Sequence, residues 1–132
     1  MIEKIYQLFY DKLPDSLAQV LPKYDRCQLV TCLNPYYLVM LSPKDYPLYE
    51  KFDYISSDGM GPLKLNKLFG KSKSVRLSFD LSSMAGPVFR NMISHGESMY
   101  MLGAKPNEIE KSVNTIKKNF KGIKIAGFHH GY

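Results

Sequence analysis

The chain has 132 residues, 45% hydrophobic and 23% charged, which suits one domain and excludes a disordered or collagen-like chain. Its 18 Lys and Arg against 12 Asp and Glu leave a formal charge of +6. That predicts attraction to phosphate groups without choosing among nucleotide, nucleic acid and anionic lipid. Cys27 and Cys32 are the only cysteines, too few for a disulfide framework, and a reduced cytoplasmic protein is the simplest expectation. Met1-Ile2-Glu3-Lys4 interrupts any apolar run, so no signal peptide is expected. The longest apolar run, Tyr36 to Leu41, is far below the ~18–20 residues that span a bilayer.

Ile2, Ile5, Tyr6, Phe9 and Leu13 fall near helical spacing and stop at Pro14, which predicts a short amphipathic helix. The run Gln28 to Leu33 (QLVTCL) reads as a buried strand. Asn34-Pro35 then starts a helix through Tyr36, Leu38, Val39 and Leu41, with Asn34 as its N-cap. The Pro43 to Pro47 stretch ends that helix. Phe52 to Ser56 is a second strand, delivering Ser57-Asp58-Gly59-Met60-Gly61-Pro62 at its carboxyl end. Leu63, Leu65, Leu68 and Phe69 predict a helix closed by Gly70, and Lys71, Lys73 and Arg76 a basic loop.

Asp80 is expected to open a helix through Leu81, Met84, Val88, Met92 and Ile93, ending at Gly96. Met99 to Leu102 is a strand, and Gly103-Ala104-Lys105-Pro106 a turn into the helix Asn107 to Phe120. Ile123 to Ala126 is the last strand, before Gly127-Phe128-His129-His130-Gly131-Tyr132. Strands alternating with helices predict an α/β fold with a mainly parallel, Rossmann-like sheet flanked by helices. Residues 1–27 would form a helical segment and 28–132 the βα core of a single domain. In such folds ligands sit outside the carboxyl ends of the strands. Asn34, Asp58, Lys105 and His129 are all expected just after strands.

Asp58 lies beside Gly59 and Gly61, which lack side chains and admit a substrate close to the backbone. A carboxylate there suits acceptance of a proton from a hydroxyl, whereas Asp-Gly also reads as an ordinary turn. At Gly103 to Pro106 a helix N-terminus and a Lys ammonium suit a pyrophosphate, but the segment reads equally as an ordinary βα turn, and the glycine spacing matches neither a P-loop nor a dinucleotide fingerprint. His129-His130 is not expected to make a metal site, because adjacent strand residues should point to opposite faces and no second His or Cys cluster supports them. Cys32 reads as a small core residue rather than a nucleophile.

Five segments in order carry a resemblance: VTCLNPYYLV (30–39), SSDGMG (56–61), VRLSFDL (75–81), YMLGAKP (100–106) and IAGFHHGY (125–132). On these the chain resembles the bacterial WecG/TagA/CpsF glycosyltransferases, over about Gln28 to Tyr132. The resemblance implies a membrane-peripheral transferase on the cytoplasmic face. It would move an N-acetylhexosamine, commonly N-acetylmannosamine, from a UDP-sugar donor to a polyprenyl-pyrophosphate-linked sugar acceptor. The products feed cell-wall and surface polysaccharides.

The implied reaction is an inverting, metal-independent displacement with no cofactor. By position, Asp58 becomes the general base, Asn34 holds the sugar, and Arg76 sits over phosphate to offset charge on the leaving UDP. Gly103, Lys105, His129, Gly131 and Tyr132 become nucleotide-side residues, and Asp80 caps its helix. The family has Thr two residues before the Asn, where this chain has Cys32. Either the thiol stands in for the hydroxyl, or a bulge returns Thr31 to that face.

The family pattern runs on past this Gly-Tyr with further βα units, so the sheet is expected to be truncated. An open edge and uncovered apolar surface would then drive homo-oligomer formation. Contact with anionic membrane is expected and binding to nucleic acid is not, since the cations are scattered. The alternative reading is a non-catalytic module that binds a nucleotide-sugar or a partner.

Overall fold

The apolar positions near the start form α1 (Ile2–Lys12), which stops ahead of Pro14 because proline cannot donate to the helical ladder. A computed structural model describes residues 2–23, 25–61, 64 and 75–132. The helix expected from Leu63 to Gly70, and the loop residues Lys71 and Lys73, lie outside the described residues. The chain forms two compact units, Met1–Ala85 and Gly86–Tyr132.

In the first unit α1 is followed by a one-turn helix, α2 (Leu17–Val20), and then by β1 (Val30–Leu33). Asn34 caps α3 (Pro35–Met40): its side-chain oxygen accepts the Tyr37 N–H at 3.0 Å, and Pro35 occupies the first turn. A second one-turn helix, α4 (Tyr46–Tyr49), begins inside the Pro43 to Pro47 stretch and runs past it. The chain then enters β2 (Tyr54–Ser57). Here α1 contacts β2. The Phe9 ring meets Tyr49 edge-on at 5.9 Å, and the Lys12 ammonium donates to the Glu50 carbonyl at 2.7 Å and to the Phe52 carbonyl.

β1 and β2 pair in parallel, from Val30 with Tyr54 to Leu33 with Ser57, without a register shift. The bulge considered for this strand is therefore absent, and Thr31 stays opposite Ile55. The start of the pair is clipped by Asp53, whose carboxylate accepts the Leu29 N–H at 2.8 Å and pairs with Arg26 at 2.6 Å. This explains why both strands begin two residues later than the apolar runs suggest. Past the carboxyl end, Arg76 forms an isolated parallel bridge with Ser57, and the Leu77 N–H donates to the Ser57 carbonyl at 3.2 Å. Leu77 is buried with Val20 and Met84, against Leu17, Val30 and Tyr54.

The helix expected from Asp80 begins five residues later, as α5 (Ala85–Ser94). Residues 80–84 are turns, because short polar side chains compete there for the backbone groups a helix would use. Asp80 accepts the Ser82 N–H at 2.8 Å and the Ser82 hydroxyl at 2.6 Å, while the Ser78 N–H donates to Ser83 Oγ at 3.2 Å.

In the second unit β3 (Ser98–Leu102), α6 (Pro106–Asn119) and β4 (Lys124–His129) make a parallel βαβ turn. Ile109 and Val113 supply the buried stripe of α6, and Phe89 meets Phe120 edge-on at 5.0 Å. A register shift falls between Met99 and Tyr100, which brings Gly127 opposite Tyr100. With the bulge absorbed there, β4 runs on through His129, three residues beyond the expected end at Ala126.

Both pairings are parallel and flanked by helices, as an α/β fold requires. Among the described residues they form two two-stranded sheets, β1-β2 and β3-β4.

Ile55 is 1% exposed and Val39 83% exposed. Truncating Ile55 to Ala is expected to cost about 2–5 kcal/mol, through lost transfer free energy and a residual cavity. The same truncation at Val39 should stay within about 0.5 kcal/mol. Denaturant unfolding of both variants measures the contrast, and equal losses would contradict this core assignment.

Candidate functional site

The carboxyl end of the first parallel pair gathers the polar residues of the first unit. Asp58 follows β2 directly, and its N–H donates to the Leu33 carbonyl at 2.7 Å, which fixes it beside the end of β1. Gly59 has φ +94°, and a Cβ there would meet nothing within 4 Å. The glycine is thus required by backbone conformation rather than by crowding. Asp58 keeps a partly exposed side chain (39%).

Extended backbone at Arg76 to Ser78 sends alternate side chains to opposite sides. Leu77 enters the core, while Arg76 and Ser78 both turn to Asp58. The Ser78 hydroxyl donates to Asp58 Oδ1. Arg76 Nη2 stands 4.0 Å from the same oxygen and 2.9 Å from Asp80 Oδ2. Asp80 therefore does not cap a helix: it fixes the guanidinium. Its carboxyl is held below the ordinary value first by the Ser82 hydroxyl, then by the Ser82 N–H and Arg76.

Cys32 is half-buried on β1, one residue before the strand's end. Ser56 Oγ lies 3.0 Å from its sulfur and also donates to the Thr31 carbonyl at 3.1 Å, while the thiol reaches the Leu77 carbonyl at 3.5 Å. The thiol thus ties β1, β2 and the 76–78 segment together beneath Asp58. Asn34 uses its side-chain oxygen in the α3 cap, which leaves its amide nitrogen as the group that can face a ligand.

The second unit has its own polar cluster at the carboxyl end of β3 and β4. Gly103 (φ +128°) and Ala104 (φ +62°) form a left-handed turn between β3 and α6. The Gly103 N–H donates to the His129 carbonyl, and the Gly131 N–H to the Ala104 carbonyl, both at 3.0 Å. A Cβ on Gly131 would lie 3.3 Å from the Gly103 Cα, so glycine permits this close approach. Glu108 reaches back to the Lys105 N–H at 3.3 Å. A carboxylate of this chain thus already occupies part of the α6 N-terminus that the sequence offered to a pyrophosphate.

His129 ends β4 instead of following it, and His130 lies beyond the strand. Their rings therefore stack at 4.3 Å and 30° rather than pointing to opposite faces. His129 Nδ1 contacts the His130 carbonyl at 2.6 Å, and His130 Nδ1 accepts the Tyr132 N–H at 3.2 Å. Tyr132 is 83% exposed. Among the described residues no three His, Cys, Asp or Glu side chains gather in a way that could hold a metal ion.

The expected site residues thus fall into two groups: Cys32, Asn34, Asp58 and Arg76 in one unit, and Gly103, Lys105, His129, Gly131 and Tyr132 in the other. The sequence reading missed Ser78, Ser56 and Glu108. The alternation Arg76-x-Ser78-x-Asp80 was the available signal for Ser78, hidden by reading the segment as a loop and then a helix.

Parallel strand pairs flanked by helices, with polar residues at their carboxyl ends, define an α/β fold. The chain belongs to the glycosyl transferase WecG/TagA/CpsF family, whose profile matches residues 3–132. It is 39% identical over 104 residues to a UDP-Gal:alpha-D-GlcNAc-diphosphoundecaprenol beta-1,4-galactosyltransferase of Shigella boydii, covering 79% of this chain and 43% of that protein. It is 28% identical over 98 residues to an N-acetylglucosaminyldiphosphoundecaprenol N-acetyl-beta-D-mannosaminyltransferase of Bacillus spizizenii, covering 70% of this chain and 35% of that protein. The chain thus spans less than half the length of these curated relatives. No helix among the described residues is long and apolar enough to cross a membrane.

The Asp53 carboxyl is held below its ordinary value by the Leu29 N–H first and by Arg26 second. A carboxylate lowered in the folded state binds its proton more readily in the unfolded chain. Asp53 and Asp80 therefore stabilise the fold above the ordinary aspartate range near 3.8, and this contribution vanishes as pH falls through their lowered values. Thermal midpoints between pH 7 and pH 2 should fall steeply below about pH 4. Asp53→Asn should lower the midpoint at pH 7 and flatten that fall; an equally steep fall would contradict the assignment.

Proposed function

We propose that this chain carries the acceptor-activating part of a glycosyltransferase. In this reading a sugar passes from a UDP donor onto an undecaprenyl-diphosphate-linked sugar, with Asp58 as the general base. One observation carries it: a partly exposed carboxylate after β2, with Oδ1 held by Ser78 and an arginine 4.0 Å away. In the relatives named above, the acceptor is a GlcNAc-diphosphoundecaprenol and the sugar moved is galactose in one and N-acetylmannosamine in the other. An N-acetylhexosamine, N-acetylmannosamine foremost, is the sugar we propose here, with galactose as the other candidate.

The acceptor hydroxyl gives its proton to Asp58 Oδ2 as its oxygen attacks the donor's anomeric carbon. The bond from that carbon to UDP breaks, and the electron pair leaves with the diphosphate. The anomeric centre inverts in this single displacement. Arg76 offsets charge developing on the leaving group in this reading. Pinned by Asp80 on one side, its guanidinium retains further N–H donors for phosphate.

Asn34 contributes its amide nitrogen to the sugar, and Cys32 acts from behind through the Ser56 contact. Within the second unit, taken by itself, Gly103, Lys105, His129, Gly131 and Tyr132 are the residues we propose for nucleotide contact, with the Lys105 ammonium as the phosphate-binding group. Tyr100 and Leu102 on β3, 62% and 75% exposed, support association with a second copy. The charge of +6 supports peripheral contact with an anionic membrane at the cytoplasmic face, where a lipid-linked acceptor is presented.

Asp58→Asn keeps the size of the side chain and removes the base. Transfer of radiolabelled sugar from UDP-N-acetylmannosamine or UDP-galactose to a lipid-linked GlcNAc-diphosphate is expected to fall about 10²–10⁴-fold. The melting temperature should hardly change. A variant with full turnover would remove Asp58 from the mechanism. Calorimetric binding of UDP-sugar without turnover in the unsubstituted chain would favour the binding-module reading instead.

A further inference from the structure

We infer that Ser78 is a positioning residue for Asp58: its hydroxyl locks the carboxylate in one rotamer, so that Oδ2 faces the acceptor. The inference rests on the reading of Asp58 as base and assigns a role to a residue outside the nucleotide and sugar contacts.

Ser78 is 6% exposed, and its backbone is tied from both sides. Its N–H donates to Ser83 Oγ at 3.2 Å, and its carbonyl accepts the Met84 N–H at 3.1 Å. Ser83 in turn donates to the Arg76 carbonyl at 3.3 Å. The hydroxyl is thus presented from a fixed backbone, in a place where it needs a partner and finds one in Asp58 Oδ1.

Asp58 is in the opposite situation. Its N–H is anchored to Leu33, but its side chain is 39% exposed and its neighbour Gly59 presents no wall. Arg76 is 4.0 Å from Oδ1 and closer, at 2.9 Å, to Asp80. The charge-assisted hydrogen bond from Ser78 is therefore what selects the rotamer. A general base works only within hydrogen-bond reach of its proton, and a misplacement of about 1 Å costs on the order of 10²-fold in rate.

The test uses the whole chain labelled with 13C and 15N, with Ser78→Ala and Ser78→Thr beside it. Three-bond couplings from the Asp58 backbone nitrogen and carbonyl carbon to Cγ report its χ1 directly. One rotamer is expected in the unsubstituted chain, averaged couplings in Ser78→Ala, and a single rotamer again in Ser78→Thr. In the transfer assay kcat should drop roughly 10–100-fold for Ser78→Ala, with KM for donor and acceptor unchanged, and recover in Ser78→Thr.

A single Asp58 rotamer surviving in Ser78→Ala overturns the inference, as does a loss that appears in KM. Averaged couplings with undiminished turnover would uphold the positioning and sink Asp58 as the base instead. If the unsubstituted chain shows no transfer, the couplings decide alone. Should Ser78→Ala fail to fold, Ser78→Cys, with its weaker donor, is read the same way.

Discussion

The Leu77 N–H donates to the Ser57 carbonyl, and that pairing determines where the neighbouring side chains go. Once residues 76–78 lie extended along the end of β2, alternation sends Leu77 into the core with Val20 and Met84. Arg76 and Ser78 are turned to Asp58 by the same geometry. Shifting the segment by one residue would bury a charge and expose the leucine, so burial of Leu77 enforces the register of the site. Packing and chemistry share one constraint here.

Much of this was legible in the sequence. The strands, the capped helix at Asn34-Pro35, the long amphipathic α6 and the parallel class follow from apolar period and capping chemistry, which act locally. Asp58 was legible because a carboxylate followed by glycine after an apolar run marks a strand's carboxyl end. Ser78 and the role of Asp80 were not, because their meaning depends on a pairing with Ser57 about twenty residues away. The late start of α5 has the same origin: Ser82, Ser83 and Asp80 hold the turn through side-chain bonds that propensity alone does not weigh.

The second unit shows a different solution to loop anchoring. Its left-handed turn at Gly103-Ala104 is stitched to the His129–Gly131 segment by two backbone bonds. Glu108 takes up the Lys105 N–H. Much of the backbone polarity of this loop is therefore spent internally, which is why the proposed nucleotide contact rests on the Lys105 side chain rather than on a cradle of amides. The bulge at Tyr100 and Gly127 extends β4 as far as His129, which sequence alternation alone placed beyond the strand.

The register of residues 76–78 is tested most directly by amide hydrogen exchange at Leu77, followed by NMR on the intact chain. The account predicts protection of the Leu77 amide comparable to that of Ile55 and Ser56 in β2, and its loss together with theirs when Leu77 is changed to Ala. An amide at Leu77 exchanging as fast as an exposed loop, while β2 stays protected, would contradict it.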